Sequence, residues 1–173
     1  MNKWFLLFSG MYVFGLLVRF IYERLKKTGK VKTENKIIFL VVFVSMCMLW
    51  VGWFNMCTVD PILMEMPPVV RWIGFGLLIV GLCLAIGAVI QLRGLENIDH
   101  LVTNGLFSKI RHPMYLGFLF WLLGWPLYHG AAVSMSAALI GVVSVIYWRK
   151  LEEKSLEHRF GEDFLQYRCQ TWF

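Results

Sequence analysis

Five long apolar runs dominate the chain: Trp4–Tyr22, Ile37–Val59, Val69–Leu92, Pro113–Tyr128 and Ala131–Trp148. A helix needs roughly 20 apolar residues to cross about 30 Å of hydrocarbon, so the runs predict an all-α, polytopic integral membrane protein with five hydrophobic helices. Composition agrees, because 58% hydrophobic and 16% charged residues leave too few charges to wet a globular surface, against about 45–50% and about 25% in soluble domains. Five crossings within 173 residues leave no room for a separate soluble domain. Residues 1–173 are therefore read as one domain, with two helices in 1–68 and a third helix, a polar loop, a hairpin and a tail in 69–173.

The first run continues to Tyr22 with no small-residue cleavage site behind it, so it reads as a retained helix rather than a signal peptide. Pro113–Tyr128 covers only about 24 Å at 1.5 Å per residue, and the Tyr128-His129-Gly130 turn joins it to the fifth run as a C-terminal helical hairpin. Pro113 suits the first turn of its helix, where a missing N–H costs nothing. Fifteen of the 17 Lys and Arg residues fall on one side of this arrangement, leaving Lys3 and Arg71 on the other. The positive-inside rule then predicts an N-terminus outside and a cytosolic C-terminus. That bias accounts for the net charge of +6, and the same basic face attracts anionic lipids. No aromatic residues are interleaved with the basic cluster as a nucleic-acid surface requires, which argues against a nucleic-acid partner. Cys47, Cys57, Cys83 and Cys169 show no metal-ligand spacing. They read as small buried hydrophobes, and no metal site is expected.

A channel or transporter would place ionisable residues near the bilayer midplane. Here the reactive polar residues gather instead in two cytosolic stretches, Gly94–His112 and Arg149–Tyr167. In the first, Gly105 permits a turn, and Arg111 and His112 stand just before a helix whose N-terminus offers free backbone donors. An anion or carboxylate is welcome there; anchoring at lipid head groups is the plainer alternative. In the second, Leu151, Leu156, Phe160, Phe164 and Tyr167 recur at near-helical intervals, which predicts an amphipathic tail helix with a possible break at Gly161. Glu157, Glu162 and Asp163 fit a solvated face, whereas Glu152 and Glu153 leave the bilayer beside the hairpin's other end and suit a cationic ligand.

These residues carry a resemblance. Leu101-Val102-Thr103, Gly105, Arg111-His112-Pro113-Met114-Tyr115-Leu116-Gly117, a helical hairpin, Glu152-Glu153 and Phe160-Gly161-Glu162-Asp163-Phe164 with Tyr167 resemble the isoprenylcysteine carboxyl methyltransferase family. Phospholipid N-methyltransferases share the general pattern. The likeness covers roughly residues 81–168, and the two motifs in this order are more specific than either alone. It implies a membrane enzyme using S-adenosylmethionine, held by Asp99, His100, Leu101, Val102, Phe107, His112, Pro113, Met114, Tyr115 and Glu152. A carboxylate such as Glu152 can bind the cofactor's ammonium, and the helix end with His112 can hold its carboxylate. Three departures stand out. Leu106-Phe107 occupies positions where the family commonly has Pro or another small residue followed by Tyr, the connection from Arg93 to Leu101 is shorter than in eukaryotic members, and a basic position of the family falls on Trp148, with Arg149 one step later.

The resulting expectation is methyl transfer from S-adenosylmethionine to a lipophilic acceptor at the cytosolic face, most of all an isoprenylcysteine-type carboxylate. Arg111, Arg149 and Glu153 are the candidate catalytic residues, the arginines holding or polarising the acceptor. The acceptor is expected to enter from the bilayer, with Gly117 on the lipid-facing side of its helix. Methylation of a phospholipid amine or a small thiol is the alternative within catalysis. A non-enzymatic membrane assembly or transport subunit is the alternative outside it.

Overall fold

The computed structural model describes residues 2–30, 35–92 and 100–173. Among these are six α-helices and one short 3-10 turn: α1 (Lys3–Lys27), α2 (Lys36–Thr58), α3 (Pro68–Leu92), the 3-10 turn (Gly105–Ser108), α4 (Pro113–His129), α5 (Ala132–Phe160) and α6 (Glu162–Gln170). α1, α2, α3 and α5 are each long and apolar enough to cross a membrane. α4, at 17 residues, is the short member that the length of its apolar run predicts. The amphipathic stretch after the fifth run divides at Gly161, whose φ of +54° ends α5 and starts α6. Large apolar side chains such as Ile90, Val69 and Val143 are exposed along the helices. In water such a surface would aggregate; in a bilayer it faces lipid, and the chain is an integral membrane protein.

The helices form two compact units. The first comprises residues 1–65 with 129–137. Its helix starts are fixed by asparagines: Asn2 accepts from Trp4 N, and Asn35 accepts from Ile37 N and Ile38 N, each occupying donors that a helix leaves unpaired. α1 and α2 meet through Tyr12 and Trp53, whose ring centroids are 5.0 Å apart. Asp60, buried just after α2, accepts from Ile62 N at 2.9 Å, from Ser134 N at 2.7 Å and from Ser134 Oγ at 2.6 Å. Its negative charge thus lies on the free amides of the first turn of α5, where the helix dipole favours it. Met64 N donates to Gly130 O and Ala132 N to Ile62 O, which ties this segment to the α4–α5 turn.

The second unit comprises residues 66–128 with 138–173. In it α3 and α4 approach until backbone meets backbone. A Cβ on Gly117 would stand 2.5 Å from Gly81 O, and one on Gly124 would stand 2.5 Å from Gly74 O. Both pairs are seven residues apart, two turns along each antiparallel helix, which is how small residues let membrane helices pack without help from water. Gly117 is therefore buried between helices, and the expectation that it faces lipid is corrected. The cysteines need a correction as well: Cys57 is buried, but Cys47, Cys83 and Cys169 are exposed. At the far end of α4, Arg71 Nε donates to Tyr128 O at 3.0 Å and its guanidinium lies over the Tyr128 ring, placing positive charge at a helix C-terminus.

Replacing Gly117 by Leu is expected to lower the thermal midpoint of the detergent-solubilised protein and its monodisperse fraction, since overpacking costs about 1–3 kcal/mol or more. Gly76→Leu is the matched control, because nothing lies within 4 Å of where its Cβ would stand. Equal melting of the two variants in a fluorescence melt would refute the close α3–α4 contact.

Candidate functional site

The second unit carries nearly all the chemically capable residues, and its local order begins with Gln91 near the end of α3. The Gln91 amide donates to Asn104 O and Asn104 Oδ1 and accepts from Leu106 N at 3.0 Å, so one side chain folds the start of the following loop. Gly105 turns there with a φ of +56°, and a Cβ on it would run into the Gln91 amide. Phe107 is buried in the 3-10 turn, and its carbonyl accepts from Tyr167 Oη at 2.6 Å. Burial pushes the Tyr167 phenol up to about 12, so it stays a donor through the physiological range. α6 is thereby fastened to the loop.

After the turn the chain runs extended into α4 and pairs in parallel with the end of the tail. Trp172 N donates to Lys109 O, Arg111 N to Trp172 O and His112 N to Phe173 O, all at 3.1 Å. Arg111 completes the knot. Its Nε donates to Glu153 Oε1 at 2.9 Å, and its Nη1 donates to Arg168 O, Thr171 O and Thr171 Oγ1. His112 Nε2 stands 3.3 Å from the same Glu153 oxygen but lacks the alignment of a hydrogen bond, and this buried nitrogen has no other partner.

Glu153 lies beyond the apolar stretch of α5. His112 and then Arg111 hold its carboxyl well below its ordinary 4.5, at about 2, against the opposing effect of burial. Although the imidazole ranks first in that shift, the short, aligned Arg111 bond is the firmer structural link. Arg149, one turn earlier on α5, holds its guanidinium carbon 4.6 Å from the Phe173 ring centroid; its Nε is buried without a hydrogen-bond partner.

The structure therefore brings Arg111, His112 and Glu153 into one contact group, and Phe173 touches both His112 and Arg149. Tyr115 is buried beside His112, with ring centroids 5.7 Å apart; Pro113 is buried, and Met114, Leu101 and Val102 are half-buried. His100 is exposed. Glu152 is also exposed and makes no ion pair among the described residues: one step along a helix turns a side chain by about 100°, and that step hands the contact with His112 to Glu153. Asp99 and Arg93 lie outside the described residues. Two features escaped the sequence reading. Gln91 is a polar residue in an apolar run with no motif around it, and nothing in the order of Thr171, Trp172 and Phe173 marks them as a strap across residues 109–112.

Because the carboxyl of Glu153 is depressed on folding, its contribution is complete above about pH 5 and is lost as pH falls through the window from 4.5 toward about 2. The thermal midpoint is expected to drop across that window, and Glu153→Gln is expected to flatten that part of the curve while lowering stability at neutral pH. An unchanged acid limb in the variant, read by calorimetry, would contradict the ion pair.

Comparison with known proteins supplies the context for this geometry. The family model for phospholipid methyltransferase matches residues 69–163, from the start of α3 to the first turn of α6. The chain is 36% identical over 80 residues to a protein-S-isoprenylcysteine O-methyltransferase of Schizosaccharomyces pombe, covering 42% of this chain and 32% of the relative. It is 35% identical over 75 residues to the Homo sapiens protein of the same name, covering 39% and 24%. A methanethiol S-methyltransferase of Pseudomonas deceptionensis is 31% identical over 106 residues, covering 56% and 40%. The chain thus spans well under half the length of these relatives, and no solved structure matches it. The matched stretch holds Gln91, Arg111, His112, Arg149 and Glu153, and it places the chain in the phospholipid methyltransferase family, among relatives named as isoprenylcysteine methyltransferases.

Proposed function

We propose that this protein transfers a methyl group from S-adenosylmethionine to the carboxylate of an isoprenylcysteine-type acceptor at the cytosolic face of a membrane. The observation that carries the reading is Arg149: a guanidinium on α5 whose buried Nε has no hydrogen-bond partner among the described residues and whose charge lies against the Phe173 ring. A half-buried cation with an unmet donor favours an anion, and an arginine fork suits a carboxylate. An amine acceptor would meet like charge there.

The cofactor fits the chain on a second unmet group, the buried Nε2 of His112 at the head of α4, a seat for a polar end of the molecule. Glu152, exposed and next in sequence to Glu153, is the carboxylate for the ammonium. Leu101, Val102, Phe107, Pro113, Met114 and Tyr115 supply apolar and aromatic walls, with the exposed His100 at the rim. When bound, the cofactor contributes a methyl group already made electrophilic by the sulfonium. An acceptor carboxylate is ionised and needs no base, so the work of the chain is alignment and exclusion of water. Arg149 orients the carboxylate. Arg111 commits Nε and Nη1 to Glu153 and the strap, so within this reading Arg111 and Glu153 position His112 rather than touch the acceptor.

The reading carries a topology. Residues 1–173 act as one methyltransferase domain with five crossings, α4 included, the N-terminus outside and the C-terminus cytosolic, and with anionic lipid at the basic face. A reporter after Phe173 and one near Thr28 should both report the cytosol, and one near Glu65 should not. Opposite locations of the first two would exclude an odd number of crossings. The 31% identical relative named for methanethiol favours a small thiol acceptor as the second reading. A lipophilic acceptor gains about 0.8 kcal/mol per methylene kept out of water, so apparent affinity should rise with tail length. Equal turnover of short, water-soluble thiols would displace the carboxylate reading.

Arg149→Ala is expected to raise the acceptor KM by roughly tenfold to a hundredfold, the worth of a charged hydrogen bond of about 1.5–3 kcal/mol, with cofactor affinity little changed. His112→Ala and Glu152→Gln are expected to weaken S-adenosylmethionine binding by a similar factor. Glu157→Gln, on an exposed face, should leave both intact. Calorimetry and acceptor kinetics showing normal values for all three site variants would move the site elsewhere.

A further inference from the structure

Phe173 makes two contacts that methyl transfer does not by itself require. Its carbonyl accepts from His112 N at 3.1 Å, and its ring lies 4.6 Å from the Arg149 guanidinium carbon. Its backbone has a φ of +56°, a region that bulky residues avoid, and the pairing of Trp172 with Lys109 and Arg111 fixes the approach to it. The ring is aimed at Arg149 by the strap.

Among the described residues no hydrogen bond anchors Arg149 Nε. It forms no ion pair among the described residues, and its long stem is flexible. An aromatic face attracts the cation without occupying any of its N–H groups, whereas a carboxylate partner would use the donors that an acceptor needs. Aromatic support therefore restricts the guanidinium and leaves it competent to bind.

We propose that Phe173 is a positioning residue for acceptor recognition: its ring holds Arg149 with the donors open, and its carbonyl ties that arrangement to the head of α4 beside His112. The inference rests on Arg149 being the carboxylate-binding group.

The test uses the full chain in lipid nanodiscs, with S-adenosylmethionine and an S-farnesylcysteine carboxylate as acceptor. Phe173→Ala is expected to raise the acceptor KM about three- to tenfold, with kcat changed less than about twofold and cofactor affinity unchanged. Phe173→Leu, which keeps apolar bulk without a ring face, should behave like Ala; Phe173→Tyr should restore the native KM. Arg149→Ala combined with Phe173→Ala should be no worse than Arg149→Ala alone, because the two act through one interaction. A native KM in both Phe173→Ala and Phe173→Leu overturns the proposal, as does a lowered KM, which would make the ring an occupant of the acceptor's seat. Additive effects in the double variant overturn it too. If Arg149→Ala raises KM while Phe173→Ala does not, the positioning role alone fails; if Arg149→Ala leaves KM unchanged, the carboxylate reading fails with it.

Discussion

The side chain of Arg111 is 9% exposed and that of Glu153 is 13% exposed, so their ion pair has given up most of its hydration. Removing two charges from water carries a penalty that mutual attraction alone often does not recover. Here Nη1 is satisfied as well, since it reaches the carbonyls of Arg168 and Thr171 and the hydroxyl of Thr171. The pair thereby joins the head of α4, the end of α5 and the last turn of α6. Everything proposed for catalysis stands around this knot: His112 beside the same carboxylate oxygen, Phe173 on the neighbouring amide, and Arg149 above the Phe173 ring.

The knot depends in turn on helices held in place without help from water. Between α3 and α4 glycine faces glycine so closely that no Cβ would fit, and beyond that contact Gln91 of α3 folds the loop that leads to Arg111. On the opposite face of the same logic, Asp60 anchors the start of α5 within the first unit through four backbone and hydroxyl donors. Polar groups inside this protein are few, and those that are buried mostly sit where a helix begins or ends, because only there do backbone groups lack partners of their own.

Among the proposed site groups, His112 Nε2 and Arg149 Nε stand apart. Both are buried without hydrogen-bond partners among the described residues, while Arg111 binds Glu153 through Nε and the tail through Nη1. Buried unmet groups are costly to keep, and a site that binds a charged cofactor and an anionic acceptor gives a reason to keep them. The proposed division of labour follows from that contrast: satisfied charges make the frame, and unsatisfied ones are offered to the ligands.

Run length and charge distribution made the helical membrane architecture legible, because hydrocarbon thickness sets the length of any crossing and forbids stray charge. The order of the two polar motifs made the family legible, and His112, Tyr115 and Phe107 were singled out from it. Facing direction was not legible in this way. Gly117 packs inward against Gly81, and Glu153 rather than Glu152 meets His112, because a single residue step rotates a side chain by about 100° and the motif does not say which face turns inward. The partners of Arg111 lie 42 to 60 residues away in the chain, beyond any local periodicity. The sequence alone determined that this chain is a bundle of membrane helices with two polar clusters at the hairpin's base. Only the tertiary structure decided that a tail of three residues straps residues 109–112 beside α5, since that closure rests on backbone pairing to which side-chain pattern is blind.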